Sequence, residues 1–368
     1  MAERTDGLEV VVTIQHPSNV HFFRNAIGEF EARGDTVYVF ARPKDVACDL
    51  LEAYEIEYEL LAGEAEGLLE LATMQARYEF EILRRVRSIR PDVLLAVSEP
   101  AITHASTCFD CRSLLFTDTE HATVQNYLAY PFADVICTPE AYWDDLGPSQ
   151  VRYPGYHQLA YLHPDRFSPD PGVFDRLEVE PDEPFAVVRL VSWSAAHDVG
   201  QDGIDRIEDL VAGLESMGVD VLLSAEGDTP PTLAAKQLTV PPEDVLDVLA
   251  YADLFVGESG SMAIESAVLG TPTIYVSSLS AGVLADLETR FGLLTSYEPD
   301  VRPQTILETA SALLERESAE SERRRRRMLE ASVDTTSFLV YLVDEMLERQ
   351  PPAASGPVAR TVGRVSGR

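Results

Sequence analysis

Apolar and polar positions alternate along the chain in a pattern that predicts strands and helices in turn. From Leu8 to about Gly147, short apolar runs typical of buried strands are separated by longer stretches with helical spacing. Strand–helix alternation produces right-handed crossovers, so this half predicts a parallel sheet with helices on both faces. The predicted strands are 8–14, 36–40, 56–61, 93–97, 113–116 and 135–137, and the longest predicted helices are 22–33 and 68–90.

A second alternating series follows a Tyr-, Pro- and Asp-rich segment that is typical of an interdomain linker. Its predicted strands are 185–191, 219–224, 254–257, 273–276 and 293–295, and helical spacing follows from Gln304 and from 336 to 348. The sequence therefore predicts an α/β protein with two doubly wound, Rossmann-like domains that face each other across a cleft. The predicted parts are an N-terminal domain (1–152), a linker (153–184), a C-terminal domain (185–310), C-terminal helices (311–350) and a disordered tail (351–368).

The charge balance is strongly acidic. The 29 basic and 62 acidic residues give a net charge of −33, and Lys44 and Lys236 are the only lysines. Acidic excess with almost no lysine suggests a halophilic proteome, because molar salt screens the self-repulsion of such a surface. An acidic face that binds basic partners is the alternative, but the carboxylates are spread through every predicted helix. The same balance argues against nucleic-acid binding, which needs a basic stripe.

Neither the targeting signals nor the cysteine pattern points to a chemical function. No run approaches the roughly 20 apolar residues of a membrane helix, and residues 1–7 lack a signal pattern, so we expect a cytoplasmic protein without a transmembrane segment. Cys108 and Cys111 have CxxC spacing, but no second CxxC or His pair follows at zinc-finger distance. We therefore expect incidental thiols and no metal site.

The most informative stretch is 257–276, where a buried strand leads through a turn of small residues into a short helix. Such a turn lets backbone N–H groups at the helix N-terminus approach an anion. A carboxylate six residues after Ser259 can reach a ribose diol beside the phosphates. The alternative is an ordinary N-cap with a solvated glutamate. The candidate ligand-binding residues are Glu258, Ser259, Gly260, Ser261 and Glu265.

Two polar segments follow strands of the first domain. After the first strand, His16, Ser18, Asn19 and His21 stand where a dinucleotide-binding fold would carry GxGxxG, and no glycine is present, which disfavours NAD or FAD. These residues suit hydrogen bonding to substrate hydroxyls, although Ser18 or Asn19 could simply cap the next helix.

The predicted strand 113–116 leads into the second of these segments. Asp118, Glu120 and His121 follow it, a group that predicts acid–base catalysis. The alternative is a capping residue with an exposed glutamate.

The second domain opens with Arg189 inside an apolar strand, where an unpaired cation would be costly. Its partner is predicted to be a phosphate or a carboxylate. His197 lies on the following loop and is a further candidate for catalysis, facing the predicted cleft. The arginine run 323–327 is flanked by glutamates, which predicts a solvated, ion-paired helix rather than a nucleic-acid or membrane site.

Several blocks resemble domain-of-unknown-function family 354 of archaeal and bacterial proteins, and more distantly the GT-B glycosyltransferases and the UDP-N-acetylglucosamine 2-epimerases. The blocks extend to about residue 340. They are HPSNVHFFRNAIGEFEARG, RPDVLLAVSEP, FTDTEHA, PFADVICTPEAYW, YPGYHQLAYLHP, VVRLVSWSAAHD and GESGSMAIESAVLGTP.

The resemblance to the epimerases and transferases implies roles for a few residues. In those enzymes a Ser-Gly pair binds the diphosphate and a glutamate six residues on holds the ribose, a pattern matched by Ser259, Gly260 and Glu265. A histidine after the first strand of their second domain has His197 as its counterpart. The glycine-rich N-terminal loop of peptidoglycan-type transferases is replaced by PSNVH, and the epimerase carboxylates do not map clearly onto Asp118 and Glu120.

The resemblance implies a nucleotide-sugar cleft and not a particular reaction. Our first interpretation is a glycosyltransferase that uses a nucleotide-diphosphate sugar donor and an acceptor, with no cofactor required. Glu120 or His121 would then act as the base. The alternatives are an epimerase, in which Asp118, Glu120, His121 and His197 shuttle protons at sugar C2, and a non-catalytic nucleotide-sugar-binding protein.

Overall fold

The computed structural model describes residues 7–44, 46–61, 68–191, 204, 206–226 and 229–348. The predicted tail 351–368 and the candidate His197 lie outside these residues. The chain divides into two compact units: residues 1–166 with 331–368 form the first, and 167–330 form the second.

The first unit is built on a seven-stranded sheet with the order β3-β2-β1-β4-β5-β6-β7. Every neighbouring pair is parallel, so all carboxyl ends lie at one edge. The strands are β1 (Glu9–Ile14), β2 (Thr36–Ala41), β3 (Glu59–Leu60), β4 (Val93–Val97), β5 (Arg112–Phe116), β6 (Val135–Pro139) and β7 (Gln150–Tyr153).

Two of these strands differ from the sequence prediction. The predicted strand 56–61 shortens to β3, which has a neighbour on one side only. The edge strand β7 was not predicted, because it has only four residues and runs directly into the Pro-rich segment. The helices of this unit are α1 (Pro17–Ala32), α2 (Ala47–Ala53), α3 (Leu68–Ile89), α4 (Pro100–Cys108), α5 (Thr123–Ala129), α6 (Leu159–Leu162) and α13 (Thr335–Met346).

The C-terminal helix α13 belongs to the first unit. The Thr335 and Thr336 hydroxyls donate to the carbonyls of Tyr156 and Ala160, each at 2.8 Å. Asp344, near the other end of the helix, accepts from both terminal nitrogens of Arg33. The hydrogen bonds from Thr335 and Thr336 therefore hold the segment that follows β7 against the last described helix.

The second unit contains a five-stranded parallel sheet with the order β12-β11-β10-β8-β9. Its strands are β8 (Phe185–Leu190), β9 (Asp220–Ala225), β10 (Leu254–Gly257), β11 (Thr273–Val276) and β12 (Leu294–Tyr297). Its helices are α7 (Ile207–Ser216), α8 (Val245–Tyr251), α9 (Gly260–Leu269), α10 (Gly282–Asp286), α11 (Pro303–Leu314) and α12 (Ser318–Glu330).

The arginine run lies on α12 and does more than form surface ion pairs. Arg323 and Arg324 bind Glu320, as the sequence predicts. In addition, Arg325 donates from Nε to the Val268 carbonyl at 3.0 Å, and Arg324 donates to the Gly292 carbonyl at 2.8 Å. These arginines therefore cap the carbonyl end of α9 and of a neighbouring turn.

In each sheet the strand order reverses at one point, between β1 and β4 in the first unit and between β8 and β10 in the second. Open parallel sheets bind ligands at such switch points, outside the carboxyl ends of the strands. None of the helices in the described ranges is both long and apolar enough to cross a membrane.

Candidate functional site

Asp118 lies two residues beyond the end of β5, at the carboxyl edge of the first sheet. Both of its oxygens are bound: Oδ1 accepts from the Thr119 hydroxyl at 3.0 Å, and Oδ2 lies 3.3 Å from Nδ1 of His157. The carboxylate is 15 % exposed and the imidazole 8 %. The structure thus pairs a predicted catalytic residue with a histidine that sequence reasoning missed.

Aromatic rings enclose His157. Phe22 and Phe116 lie at centroid distances of 4.9 and 6.0 Å, and the Tyr153 ring runs parallel to the imidazole at 6.3 Å. This burial lowers the pKa of His157, while the charge of Asp118 acts in the opposite direction.

Glu120 and His121 occupy the turn that follows Asp118. Glu120 is half-buried, and its Oε1 accepts the backbone N–H of Trp143 at 3.0 Å. His121 is exposed. The carboxylate is therefore oriented by the chain after β6, and the imidazole is open to solvent.

The end of β4 carries a second buried carboxyl group. Ser98 has a left-handed backbone with φ of 46°, and its hydroxyl donates to that of Thr117 at 2.9 Å. Glu99 then caps α4 through Oε1, which accepts the Ala101 N–H at 3.1 Å. Burial raises the pKa of Glu99 to about 7, against the opposing effect of Arg42. Non-glycine residues in such a strained conformation cluster at functional sites.

Glu99 belongs to a group at the β1–β4 switch point that we call the Glu99 cluster, made of Gln15, Arg42, Gln75, Tyr78 and Glu99. The Arg42 guanidinium lies 3.8 Å from the centroid of the Tyr78 ring and donates to Gln75 at 2.6 Å. Burial and the charge of Glu99 raise the pKa of Tyr78, against the opposing effects of Arg42 and of a hydrogen bond to Gln15. Within the described part of the chain, Glu99 Oε2 is buried without a hydrogen-bond partner.

The predicted polar residues after β1 differ in their role: some form the N-terminal cap of α1, and one is buried inside the unit. His16 caps α1 by accepting the Ser18 N–H, and Asn19 accepts the N–H of Gln15 at 3.1 Å. The cap is thus His16, where the sequence suggested Ser18 or Asn19. His21 is buried inside the unit, where burial lowers its pKa to about 3.

In the second unit, α9 begins beside the β8–β10 switch point. Ser259 is its N-cap and accepts the Met262 N–H through its side chain at 3.4 Å. Gly260 and Ser261 are half-buried on the first turn, whose N–H groups have no acceptors inside the helix. Glu265 is buried on the next turn, with 6 % exposure. The predicted N-cap at Ser259 is confirmed, but Glu265 is buried, so the solvated glutamate of that alternative is wrong. Anion binding at the first turn of α9 stays a prediction.

Glu258 and Arg189 make contacts inside the unit. Glu258 is buried; it accepts the N–H of Val191 at 2.8 Å and that of Ile204. Arg189 donates to Ser224 at 2.7 Å and pairs with Glu226. Of the two partners the sequence left open for Arg189, a carboxylate is present.

Glu99 and His157 were both missed by the sequence prediction, but the sequence marks only one of them. Glu99 follows the apolar run of β4 and precedes Pro100, so the strand-end argument used for Asp118 would have found it. His157 has no such signal, because its segment resembles a linker and its partner is 39 positions away, the difference between 157 and 118. Only the fold brings the two together.

Other features offer less chemistry. Cys111 is unpaired with another cysteine, and burial raises its pKa to about 11, which disfavours a reactive thiolate. Over the described ranges, no three His, Cys, Asp or Glu side chains are grouped to hold a metal ion.

A cavity of about 1020 Å³ lies at the amino edge of the first sheet. It is opposite the edge where parallel sheets bind ligands. Its lining includes Arg87, Arg90, Asp92, Arg112 and Asp134.

Comparison with known proteins assigns the family. Residues 8–284 match the family described as "Protein of unknown function (DUF354)". The chain belongs to this family. An uncharacterized protein of Methanocaldococcus jannaschii is 20 % identical over 279 residues, which cover 73 % of this chain and 81 % of that protein.

Solved structures share the fold at low identity. The spinosyn forosaminyltransferase SpnP has a TM-score of 0.65 at 13 % identity, covering 93 % of this chain and 100 % of that one. The UDP-GlcNAc 2-epimerase of Methanocaldococcus jannaschii, in complex with UDP-GlcNAc and UDP, has a TM-score of 0.62 at 11 % identity, covering 88 % and 99 %. The predicted α/β fold with two Rossmann-like domains of the GT-B type is confirmed.

Proposed function

We propose that this protein is a GT-B-like glycosyltransferase that uses a nucleotide-diphosphate sugar donor. One observation carries the proposal: a glycine- and serine-lined N-terminus of α9 stands at the switch point of the second sheet. Proteins of the same fold bind or act on nucleotide sugars, as the complex of the archaeal epimerase with UDP-GlcNAc shows for that protein.

The second unit supplies the donor site in this proposal. The first-turn N–H groups at Gly260 and Ser261 and the helix dipole bind the diphosphate. They also stabilise the charge that develops when the bond from the anomeric carbon to the diphosphate oxygen breaks. Glu265, on the next turn, holds the ribose hydroxyls.

A transferase also needs a group that accepts the proton of the acceptor hydroxyl while its oxygen bonds to the anomeric carbon and the diphosphate leaves. Asp118 and Glu120 of the first unit are carboxylates suited to that role. Both carboxylates lie at the carboxyl edge of the first sheet and are held in place by hydrogen bonds.

Thermal unfolding in molar KCl with UDP, GDP, dTDP and CMP sugars tests the donor site. A ligand at 100 times its dissociation constant adds about 2.7 kcal/mol to the free energy of unfolding. We expect a shift with one nucleotide, reduced in Ser259→Ala and Glu265→Ala and retained in the surface variant Glu140→Gln. The absence of a shift with every nucleotide sugar would contradict the proposal.

An epimerase acting on a UDP-sugar is the second candidate, and Glu99 favours it. A buried carboxyl with a pKa near 7 and one oxygen without a partner in the described chain suits proton exchange at a sugar carbon. Deuterium incorporation separates the two reactions. An epimerase exchanges the sugar C2 hydrogen with D₂O in the absence of any acceptor, whereas a transferase leaves it in place.

A further inference from the structure

The cavity at the amino edge of the first sheet has a polar lining that the proposed donor site does not use. It lies where α3 and α4 end and where β4, β5 and β6 begin, and all of its lining residues belong to the first unit. We propose that this cavity binds a small phosphate-bearing ligand through the guanidinium groups of Arg87, Arg90 and Arg112. This second site goes beyond the proposed transferase activity and involves neither α9 nor the carboxyl edge of either sheet.

Two arginines of the lining carry charges that the protein leaves unused. The chain has 62 acidic and 29 basic residues, so carboxylates that could pair with an arginine are abundant. On α3 itself, Arg84 pairs with Glu81. Arg87 and Arg90 line the cavity and have no ion pair or side-chain hydrogen bond with any residue that the structure describes. Both guanidinium groups are therefore available to a ligand.

The third arginine of the lining, Arg112, is held in place by the first sheet. Its Nη1 donates to Oδ1 of Asp134 at 2.9 Å. The other oxygen of Asp134 accepts both the backbone N–H and the hydroxyl of Ser113, at 2.8 and 2.9 Å, and Ser113 is buried. Arg112 keeps 57 % of its side chain exposed. One end of the guanidinium fork is thus anchored, and the remaining donors can face an anion.

The backbone of Arg90 supports a role for its side chain. This residue follows the last turn of α3, donates its N–H to the Val86 carbonyl at 2.8 Å and has a φ of 58°. Helix ends in this conformation usually carry glycine, because a side chain strains it. The helix dipole accounts for a cation such as Arg87 in the last turn. It does not account for an arginine at a strained position beyond the helix, whereas a ligand that needs the side chain does.

Carboxylates also line the cavity, and most of their charge is already satisfied. Asp92 and Asp134 accept the backbone N–H groups of Glu9 and Ser113 at 3.0 and 2.8 Å. Asp110 is exposed and opposes an anion. In molar KCl the Debye length is about 3 Å, so distant carboxylates of the −33 charge contribute little. The groups that line the cavity then decide, and the arginines outweigh Asp110.

The size and charge of the cavity favour a phosphate-bearing molecule. Its volume of about 1020 Å³ is at the upper end of the range for small-molecule sites and far exceeds the space that a single ion needs. A phosphate group has three oxygens and up to two negative charges, so several guanidinium groups can share it through paired N–H donors. A carboxylate has two oxygens and one charge, and competes less well against Asp110.

Backbone amide NMR of the full chain, titrated with potassium pyrophosphate in molar KCl, is the first test. We expect saturable shifts at the amides of Arg90, Asp92 and Cys111. The amides of Gly260 and Ser261 report on the donor site in the same titration. Shifts confined to Gly260 and Ser261, or none at all, would overturn the second site. Shifts confined to the cavity would support it and count against the donor site.

Variants that change one charge test the arginines. Arg87→Gln and Arg90→Gly should each weaken pyrophosphate binding about tenfold, the size of one charge-assisted hydrogen bond. Asp110→Asn should tighten it. Arg77→Gln removes the same charge from an exposed residue of α3 outside the cavity and is the matched control. An equal loss in Arg77→Gln would indicate general charge attraction and would overturn the proposal.

Two further measurements separate binding from folding and phosphate from other anions. The melting temperature of Arg90→Gly should not fall, because glycine adopts the left-handed backbone without strain. Native affinity for pyrophosphate in that stable variant would overturn the role of Arg90. Malonate, a dianion with two carboxylates, should bind more weakly than pyrophosphate to the native protein. Equal or tighter binding of malonate at the cavity amides would overturn the assignment to a phosphate-bearing ligand.

Discussion

The carboxyl edges of the two sheets differ in how their buried polar groups are satisfied. At the first edge, Glu99 Oε2 and His157 Nε2 are buried without a hydrogen-bond partner within the described chain. At the second edge, Ser259 caps α9, both oxygens of Glu258 accept backbone N–H groups, and Arg189 leaves only Nε unpartnered among the residues described. Unsatisfied buried groups are costly and point to function. This contrast supports the proposed reactive role of groups in the first unit and the proposed binding role of the second.

The largest effect is expected at the first edge, in Glu99→Gln. In the folded protein the pKa of the Glu99 carboxyl is raised from 4.5 to about 7. The stability that this group contributes is therefore present below pH 4.5 and is lost as the pH rises through 7. Glu99→Gln does not titrate, so its stability relative to native protein should rise by on the order of 3 kcal/mol between pH 4.5 and pH 8. Chemical unfolding at pH 4.5, 6 and 8 measures this difference.

Exposed Glu140→Gln is the control for that series and should show no such trend. A Glu99→Gln variant whose stability relative to native protein does not change with pH would remove the main contrast between the two edges.

At the second edge, Gly257→Ala should destabilise the protein by about 2 kcal/mol through overpacking. A Cβ there would lie 2.7 Å from Phe255 Cζ and 3.0 Å from the Arg189 carbonyl. Gly28→Ala is the matched control, since a Cβ at that helix position meets nothing within 4 Å and should stabilise α1 by up to about 1 kcal/mol. Equal melting temperatures for the two variants would show that the second edge is less tightly packed than its contacts indicate.

Arg325→Met should cost about 1 kcal/mol, because it removes the hydrogen bond that closes the carbonyl end of α9. Arg323, with 61 % of its side chain exposed, binds only Glu320 in the described structure, and Arg323→Met should change stability by less than about 0.5 kcal/mol. Urea unfolding of both variants compares them directly. A similar loss of stability in both variants would indicate that the arginine run has only the surface role that the sequence predicts.

The smallest stability change is expected for Ser259→Gly, a few tenths of a kcal/mol, against about 1 kcal/mol for Ser259→Ala. Both substitutions remove the side-chain acceptor, and glycine is the better tolerated of the two at an N-cap. Calorimetry of the two variants without ligand tests whether the Ser259 side chain caps α9. A larger loss in the glycine variant would argue against that assignment.

The sequence predicted the fold well because strand and helix periods are local. β4 and β10 have the predicted bounds, and α3 ends one residue before its predicted end. The differences lie at the edge strands β3 and β7, where few apolar positions are needed, and at the start of α1, which begins at Pro17, five residues before the predicted start at Phe22.

The site was less predictable because its partners are distant in sequence. Asp118 and Ser259 stand directly after apolar strands, so a strand-end argument locates them. The pairing of Asp118 with His157, and the ties between Glu258 and both Val191 and Ile204, depend on tertiary contacts that no local pattern encodes.

The most direct test of nucleotide binding by the second unit is backbone amide NMR of the full chain titrated with UDP. We expect the amide signals of Gly260, Ser261 and Met262 to shift, because the diphosphate binds the first turn of α9. UDP shifts confined to the first unit, or no shifts at all, would contradict the assignment of nucleotide binding to the second unit.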